Sequence, residues 1–240
     1  MPDYDARIVD LYDDDNPDGH DHDHYRALAD DRDARAILDI GCGTGILTVT
    51  FAASHRRVVG VDPSAAMLDF ARGRPGAERV TWVAGDSSAA PRELFDLAIL
   101  SGNVAQHIPD GAWSRTLRDI RERMEVGGTL AFESRNPAAR EWERWGAEGP
   151  TSRETPHGTL VEWMEVDRVD GRSVRFTAYN RFVRAEETVA VTEVLVFRSR
   201  AEIERDLQDA GFAIESVAGD WANTPFDGTA RIMAFVARAR

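Results

Sequence analysis

The sequence predicts an α/β fold, an open sheet of mostly parallel strands with helices between them. Three observations carry this. Short, nearly continuous apolar runs recur at 36–40, 57–61, 80–84, 95–100 and 128–133, as expected of strands buried on both faces. Helix-length stretches separate them, the alternation of an α/β sheet. The first run ends in the loop Gly41-Cys42-Gly43-Thr44-Gly45. A strand that turns sharply into a helix over a ligand needs residues free to take positive φ, and the helix amides then face that ligand.

The elements follow in order. Tyr4–Tyr12 and His22–Ala29 are helical stretches split by the breaker Asn16-Pro17-Asp18-Gly19. Ala36, Ile37 and Leu38 enter the glycine loop, and a helix-like stretch spans Ile46–Ala53. The second strand, Arg57–Val61, ends at Asp62, with Pro63-Ser64 and an apolar helix bearing Met67 and Leu68 beyond it. The third, Val80–Ala84, ends at Gly85-Asp86-Ser87, and the fourth, Phe95–Leu100, at Ser101-Gly102-Asn103. A helix over Trp113–Met124 puts Trp113, Leu117, Ile120 and Met124 on one side. The fifth strand, Gly128–Glu133, follows the turn Val126-Gly127-Gly128.

After Glu133 the pattern changes. Asn136-Pro137 breaks the chain, and a short amphipathic piece carries Trp142 and Trp145. Three alternating runs follow, Thr159–Val166, Ser173–Val183 and Val189–Phe197, the first two joined through Asp170-Gly171. They read as an inserted antiparallel sheet opening with a hairpin. Ser199 then caps a helix to Ala210, Glu202 completes a capping box, and Gly211 ends it. Phe212–Val217 and Ala230–Ala237 are the last strands.

The loop chemistry narrows the ligand. A dinucleotide fingerprint is G-x-G-x-x-G, and its third glycine lets helix and strand pack beside a pyrophosphate. Here the spacing is G-x-G-x-G, with Ile46 in the third-glycine place. Asp39 at the strand end repels pyrophosphate and suits a cation. Asp62 lies about 20 positions beyond the loop, where an acid takes the two hydroxyls of a ribose. Asp39, Asp62, Asp86 and Ser101 all end strands, the edge at which open α/β sheets bind ligands.

The octapeptide Leu38-Asp39-Ile40-Gly41-Cys42-Gly43-Thr44-Gly45 resembles the first motif of the class I methyltransferases that use S-adenosylmethionine. The resemblance covers 35–134 and, less fully, 199–240. It implies a seven-stranded Rossmann-like sheet whose last strand returns antiparallel, with the insert as an antiparallel β substrate cap. The implied domains are an N-terminal helical cover (1–34), a cofactor-binding α/β domain (35–134 and 199–240) and the cap (135–198). The implied cofactor contacts are Asp39, Gly41, Cys42, Gly43, Gly45, Asp62, Pro63, Met67, Asp86, Ser87, Ser101 and Gly102. Asp86 would receive the adenine amine, and Ser87 would help hold the ring.

The reaction is then transfer of a methyl group to oxygen or nitrogen of a small-molecule acceptor. Such a displacement needs alignment and exclusion of water, with a base when the acceptor carries a proton. His107, just beyond the fourth strand, is the candidate base; its plain alternative is capping the next helix. Arg135 and Asn136 could hold a polar substrate group or simply end the strand, and Tyr12 and Tyr25 could contact substrate or pack. Two rival functions are an NAD(P)-dependent oxidoreductase, which Ile46 disfavours, and a non-catalytic module that binds the cofactor.

Bulk properties set further bounds. The 240 residues suffice for one sizeable core with an elaboration. The net charge of −13 disfavours a nucleic-acid partner, and Arg is interleaved with Asp and Glu rather than clustered. The only cysteine, Cys42, permits no internal disulfide. With neither a leader nor a membrane-length apolar run, the expected location is cytoplasmic, with no membrane partner. His20-Asp21-His22-Asp23-His24 lacks partners at metal-site spacing and reads as a solvated helix start, so no metal is expected. The sequence assigns no oligomeric state.

Overall fold

Strand β1 (Ala36–Ile40) lies inside a seven-stranded sheet in the computed structural model, which describes residues 3–53 and 55–240. Met1, Pro2 and Ser54 lie outside the described residues, including the first two positions of the expected N-terminal cover. On one side β1 pairs in parallel with β2 (Arg57–Asp62), and β2 with β3 (Val80–Ala84). On the other it pairs in parallel with β4 (Phe95–Leu100), and β4 with β5 (Met124–Arg135). Strands β10 (Phe212–Ala218) and β11 (Ile232–Ala239) complete the sheet, with β11 antiparallel to both β5 and β10. The order is β10-β11-β5-β4-β1-β2-β3, so the last strand is reversed, as expected. The strand order reverses between β1 and β4, the kind of point beyond whose carboxyl ends open α/β sheets bind ligands.

Apolar faces hold this frame. Trp113, Leu117 and Ile120 of α5 (Asp110–Glu122) are buried on the sheet, and Phe132 stacks on Phe235 at 5.2 Å. The expected last residue of this helix, Met124, instead begins β5. The Arg123 carbonyl accepts the Phe95 N–H at 2.8 Å, so strand pairing captures the chain one residue past the helix. Helix α6 (Arg200–Asp209) carries the expected capping box of Ser199 and Glu202.

The stretch Ile46–Ala53 is not an α-helix. It turns and forms only a short 3₁₀ segment, Thr48–Phe51. Ile46, Thr48, Val49 and Thr50 are β-branched and stiff. Thr48 donates its hydroxyl to Asp39 at 2.6 Å, and Thr50 donates to the Leu47 carbonyl at 2.6 Å. Such local bonds compete with a helical ladder.

The insert has four strands, not three. Its order is β6 (Thr151–Thr155), β7 (Gly158–Asp170), β8 (Ser173–Phe182) and β9 (Glu187–Val196), all antiparallel. Thr-Ser-Arg-Glu-Thr shows no apolar alternation, so β6 leaves no hydrophobic signature. Pairing along β7 holds it, with Arg153 bonded to Glu162 at 2.8 Å. Asp170 sits opposite Ser173 across the expected hairpin.

Helix α1 (Ala6–Asp15) bridges the two sheets. Leu11 is buried with Leu160 and Phe182 of the insert, and the Arg7 guanidinium lies 4.1 Å over the Phe182 ring. On its other flank Asp13 accepts the Thr44 hydroxyl at 2.7 Å, and Asp3 accepts the Ala66 N–H of α3 (Ala65–Arg72) at 3.0 Å. Helix α2 (His20–Asp31) lays Tyr25 and Ala29 into the core beside Ile37 and Phe51.

Candidate active site

The glycine loop is stitched to the neighbouring strand. The N–H groups of Gly41 and Cys42 both donate to the Val61 carbonyl, at 2.7 and 3.2 Å. Asp62 then closes the turn, accepting the Gly43 N–H at 2.9 Å through one oxygen and the Ser64 N–H at 2.8 Å through the other. An ionised carboxylate has about four acceptor sites, so two remain. The loop contains two different glycines. At Gly45, φ is +73°, and a Cβ would lie 2.5 Å from the Trp82 ring. At Gly43, φ is +53°, and a Cβ would meet nothing within 4 Å. Gly45 is closed by packing, whereas Gly43 borders open space. Cys42 is buried, and burial pushes its thiol up, away from the reactive thiolate.

Asp39 sits under this loop and is 1% exposed. One oxygen accepts from Thr48; the other, Oδ1, is buried without a partner. Burial pushes its carboxyl up to about 7, the Thr48 hydrogen bond opposes this, and the charges of Asp62 and Glu133 add to it. Glu133 at the end of β5 is also raised to about 7 by burial, against the hydrogen bonds donated by the Tyr25 hydroxyl and the Asn103 N–H. Both groups therefore bind protons more tightly folded than unfolded. Their contribution to stability is complete below the ordinary carboxylate range near 4 and is lost as pH rises to about 7. Asp39→Asn is expected to flatten the fall of melting temperature across that window, as read by thermal melts at stepped pH. An unchanged slope would remove Asp39 from this account.

The remaining expected cofactor positions stand around the same edge. Asp86 accepts from Ser88 and pairs with Arg115 at 2.7 Å, contacts that hold its carboxyl well below the usual range. Ser87 is buried and donates its hydroxyl to Asp119 at 2.7 Å, so its side chain is spent on α5. Pro63 is exposed, Met67 is buried in α3, Ser101 is half-buried, and Gly102 is exposed with φ +72°.

The expected substrate residues divide. Tyr12 is half-buried; burial raises its phenol, and the charges of Glu193 and Asp62 add to this, placing it near both. Tyr25 is buried on Glu133. Arg135 donates to the Gln106 side chain at 3.0 Å and lies 5.7 Å over the Trp145 ring. Asn136 spends its amide on the carbonyls of Gly228 and Ala230, at 3.0 and 2.9 Å, and its oxygen on the Ala138 N–H. It closes a loop. His107 ends α4 (Val104–His107), with Nδ1 2.9 Å from the Glu193 carboxylate of β9.

Sequence reasoning omitted four residues of this neighbourhood: Tyr4, Glu133, Glu193 and Arg198. The Tyr4 hydroxyl donates to Glu193 at 2.8 Å. Arg198, 2% exposed, donates to the Ala105 and Ile108 carbonyls at 2.8 and 2.7 Å, bracketing His107. Glu193 left a legible sign. Val189, Val191 and Leu195 share its phase along β9, so a carboxylate stands between apolar side chains.

The histidine-rich stretch lies elsewhere. His20 and His24 line a surface groove of about 920 Å³ between α2 and β10, which neither the glycine loop nor His107 enters. His22 is buried, with Nδ1 3.0 Å from Asp18. Among the described residues, no cluster of three or more His, Cys, Asp or Glu could hold a metal ion.

Comparison with known proteins adds three kinds of likeness. Residues 37–128 match the family model described as "Methyltransferase domain". The cypemycin N-terminal methyltransferase of a Streptomyces species is 27% identical over 208 residues, covering 85% of this chain and 83% of that protein. Four further curated relatives are matched over 39%, 40%, 40% and 50% of their own lengths, so those likenesses are local. Among solved structures, the methyltransferase CcbJ of Streptomyces caelestis has a TM-score of 0.78 at 22% identity, covering 98% of this chain and 99% of that one. CalS10 of Micromonospora echinaspora, described as an amino pentose methyltransferase with bound S-adenosylmethionine, has a TM-score of 0.69 at 21% identity over the whole of both chains.

Proposed function

We propose that the chain is a class I methyltransferase that uses S-adenosylmethionine and transfers a methyl group to nitrogen or oxygen of a small-molecule acceptor, with His107 as general base. One observation carries the cofactor site: a buried, unpartnered Asp39 oxygen beneath a glycine loop that is open at Gly43. An orphaned buried acceptor is costly unless a donor or cation reaches it. This cofactor carries an ammonium and a sulfonium, so the donor set fits. Asp62, with two acceptor sites left, would hold the ribose hydroxyls; Asp86 would face the adenine amine. Gly41, Cys42, Gly43 and Gly45 would line the loop, with Pro63, Met67, Ser87, Ser101 and Gly102 around it.

When bound, S-adenosylmethionine supplies an electrophilic methyl carbon on a good neutral leaving group. The chain's own tasks are to orient the acceptor, exclude water and take its proton. His107 would take that proton. Tyr4, Tyr12 and Arg135 would form the acceptor side, roofed by α1 and the four-stranded insert. An amine is the favoured acceptor. The Glu193 carboxylate beside His107 suits an arriving ammonium, and the relative with 27% identity is named for an N-terminal methyl transfer.

An acceptor screen split into amines and alcohols, read by homocysteine release, tests this. Turnover confined to alcohols would overturn the amine reading; stabilisation by NAD but not by S-adenosylhomocysteine in thermal shift would overturn the cofactor site. We expect Gly43→Ala to weaken S-adenosylhomocysteine binding with only a small loss of melting temperature. Its positive φ costs an alanine roughly 1–2 kcal/mol, but no atom obstructs it. Gly45→Ala should instead cost stability first, through Trp82. Equal binding by Gly43→Ala and wild type in calorimetry would put the cofactor elsewhere.

No helix among the described residues is long and apolar enough to cross a membrane. The lone buried cysteine and acidic composition support a cytoplasmic location, which cell fractionation tests.

A further inference from the structure

The Glu193 carboxylate is contributed by the inserted sheet, yet it contacts two groups outside it. Its Oε2 lies 2.9 Å from His107 Nδ1, and its Oε1 accepts the Tyr4 hydroxyl at 2.8 Å. Its side chain is 11% exposed, against 41% for His107. Burial raises the carboxyl, but the contacts from His107 and Tyr4 outweigh this and hold it below its usual range. It is therefore an ionised acceptor facing the imidazole.

We infer that Glu193 is the positioning residue for His107: by accepting the Nδ1–H it fixes the imidazole in one tautomer, with Nε2 bare and turned toward the acceptor. The two ring nitrogens are not equivalent, and the bond made by one decides which can act as base. A carboxylate on Nδ1–H is the arrangement that orients a catalytic histidine and stabilises its imidazolium. The same strand end fixes the backbone. Arg198, two residues beyond β9, ties the carbonyls on either side of His107. Arg198 removes the freedom of the segment, and Glu193 that of the ring. Tyr4 supplies the second contact on Glu193, so the residues before α1 complete the arrangement. The insert then does more than roof the site; it sets the protonation geometry of a group on α4.

The inference rests on His107 as base, but its test does not need the acceptor. Full-length protein labelled with ¹⁵N-histidine is examined by NMR in alkaline buffer, where the ring is neutral. His107→Gln identifies the His107 signals. Wild type is expected to show the Nδ1–H tautomer. Glu193→Leu should shift His107 toward the Nε2–H form common in free imidazole, while Glu193→Gln, whose amide oxygen still accepts, should keep the wild-type pattern. S-adenosylhomocysteine binding within twofold of wild type shows that the variants remain folded. Should Glu193→Leu not fold, Glu193→Thr, too short to reach the ring and at home in a strand, carries the same expectation. An unchanged tautomer in either short variant overturns the inference. A tautomer that follows Glu193 while His107→Gln turns over normally with an acceptor from the screen supports the positioning contact and overturns the base reading instead.

Discussion

His107→Gln is expected to lower turnover by about 10²-fold or more, the usual scale for loss of a general base being ~10²–10⁴, while S-adenosylhomocysteine affinity should stay within about twofold. The asymmetry follows from placement. His107 stands at the end of α4, beyond β4, whereas the glycine loop and Asp62 stand beyond β1 and β2. Cofactor groups held by the loop would not need a hydrogen bond from the imidazole. Turnover with a verified amine or alcohol, measured beside cofactor calorimetry, separates the two effects. A parallel loss of both would mean that His107 supports the cleft rather than the chemistry. Normal turnover would leave alignment alone to account for the rate, which a displacement at a sulfonium can tolerate.

Asp62→Ala is expected to weaken cofactor binding by roughly 1.5–3 kcal/mol, the range for charge-assisted hydrogen bonds, or about 10- to 100-fold. Two losses combine. The ribose would lose its carboxylate, and the N–H groups of Gly43 and Ser64 would lose their acceptor. Asp62→Asn separates them, because an amide oxygen can still serve one N–H but carries no charge. The asparagine variant should therefore bind more tightly than the alanine variant and less tightly than wild type. Calorimetry with S-adenosylhomocysteine that ranks all three alike would detach Asp62 from the ribose.

The sheet was legible because burial on both faces leaves continuous apolar runs, and because Asp39, Asp62, Asp86 and Ser101 each follow such a run. The capping box at Ser199 and the hairpin at Asp170-Gly171 were legible for the same local reason: their hydrogen bonds and turn geometry depend on residues a few positions apart. Where the reading failed, a partner outside the segment decided the outcome. Asp39 draws off the Thr48 hydroxyl, and the expected helix after the loop shrinks to one 3₁₀ segment. Strand β6 is polar and exists by pairing with β7. Met124 leaves the helix because Phe95 bonds to the residue before it.

The site divides along the same line. Which groups end the strands, and that they suit a cationic nucleoside rather than a pyrophosphate, follows from residue order alone, since adjacent parallel strands bring their carboxyl ends to one edge. That Glu193 meets His107 and Tyr4, that Glu133 holds Tyr25, and that Arg198 clamps α4 depend on segments 86, 108 and 93 residues apart or more. Sequence spacing sets local bonds; only the docking of the inserted sheet, α1 and α2 onto the first sheet could bring these side chains within reach of one another.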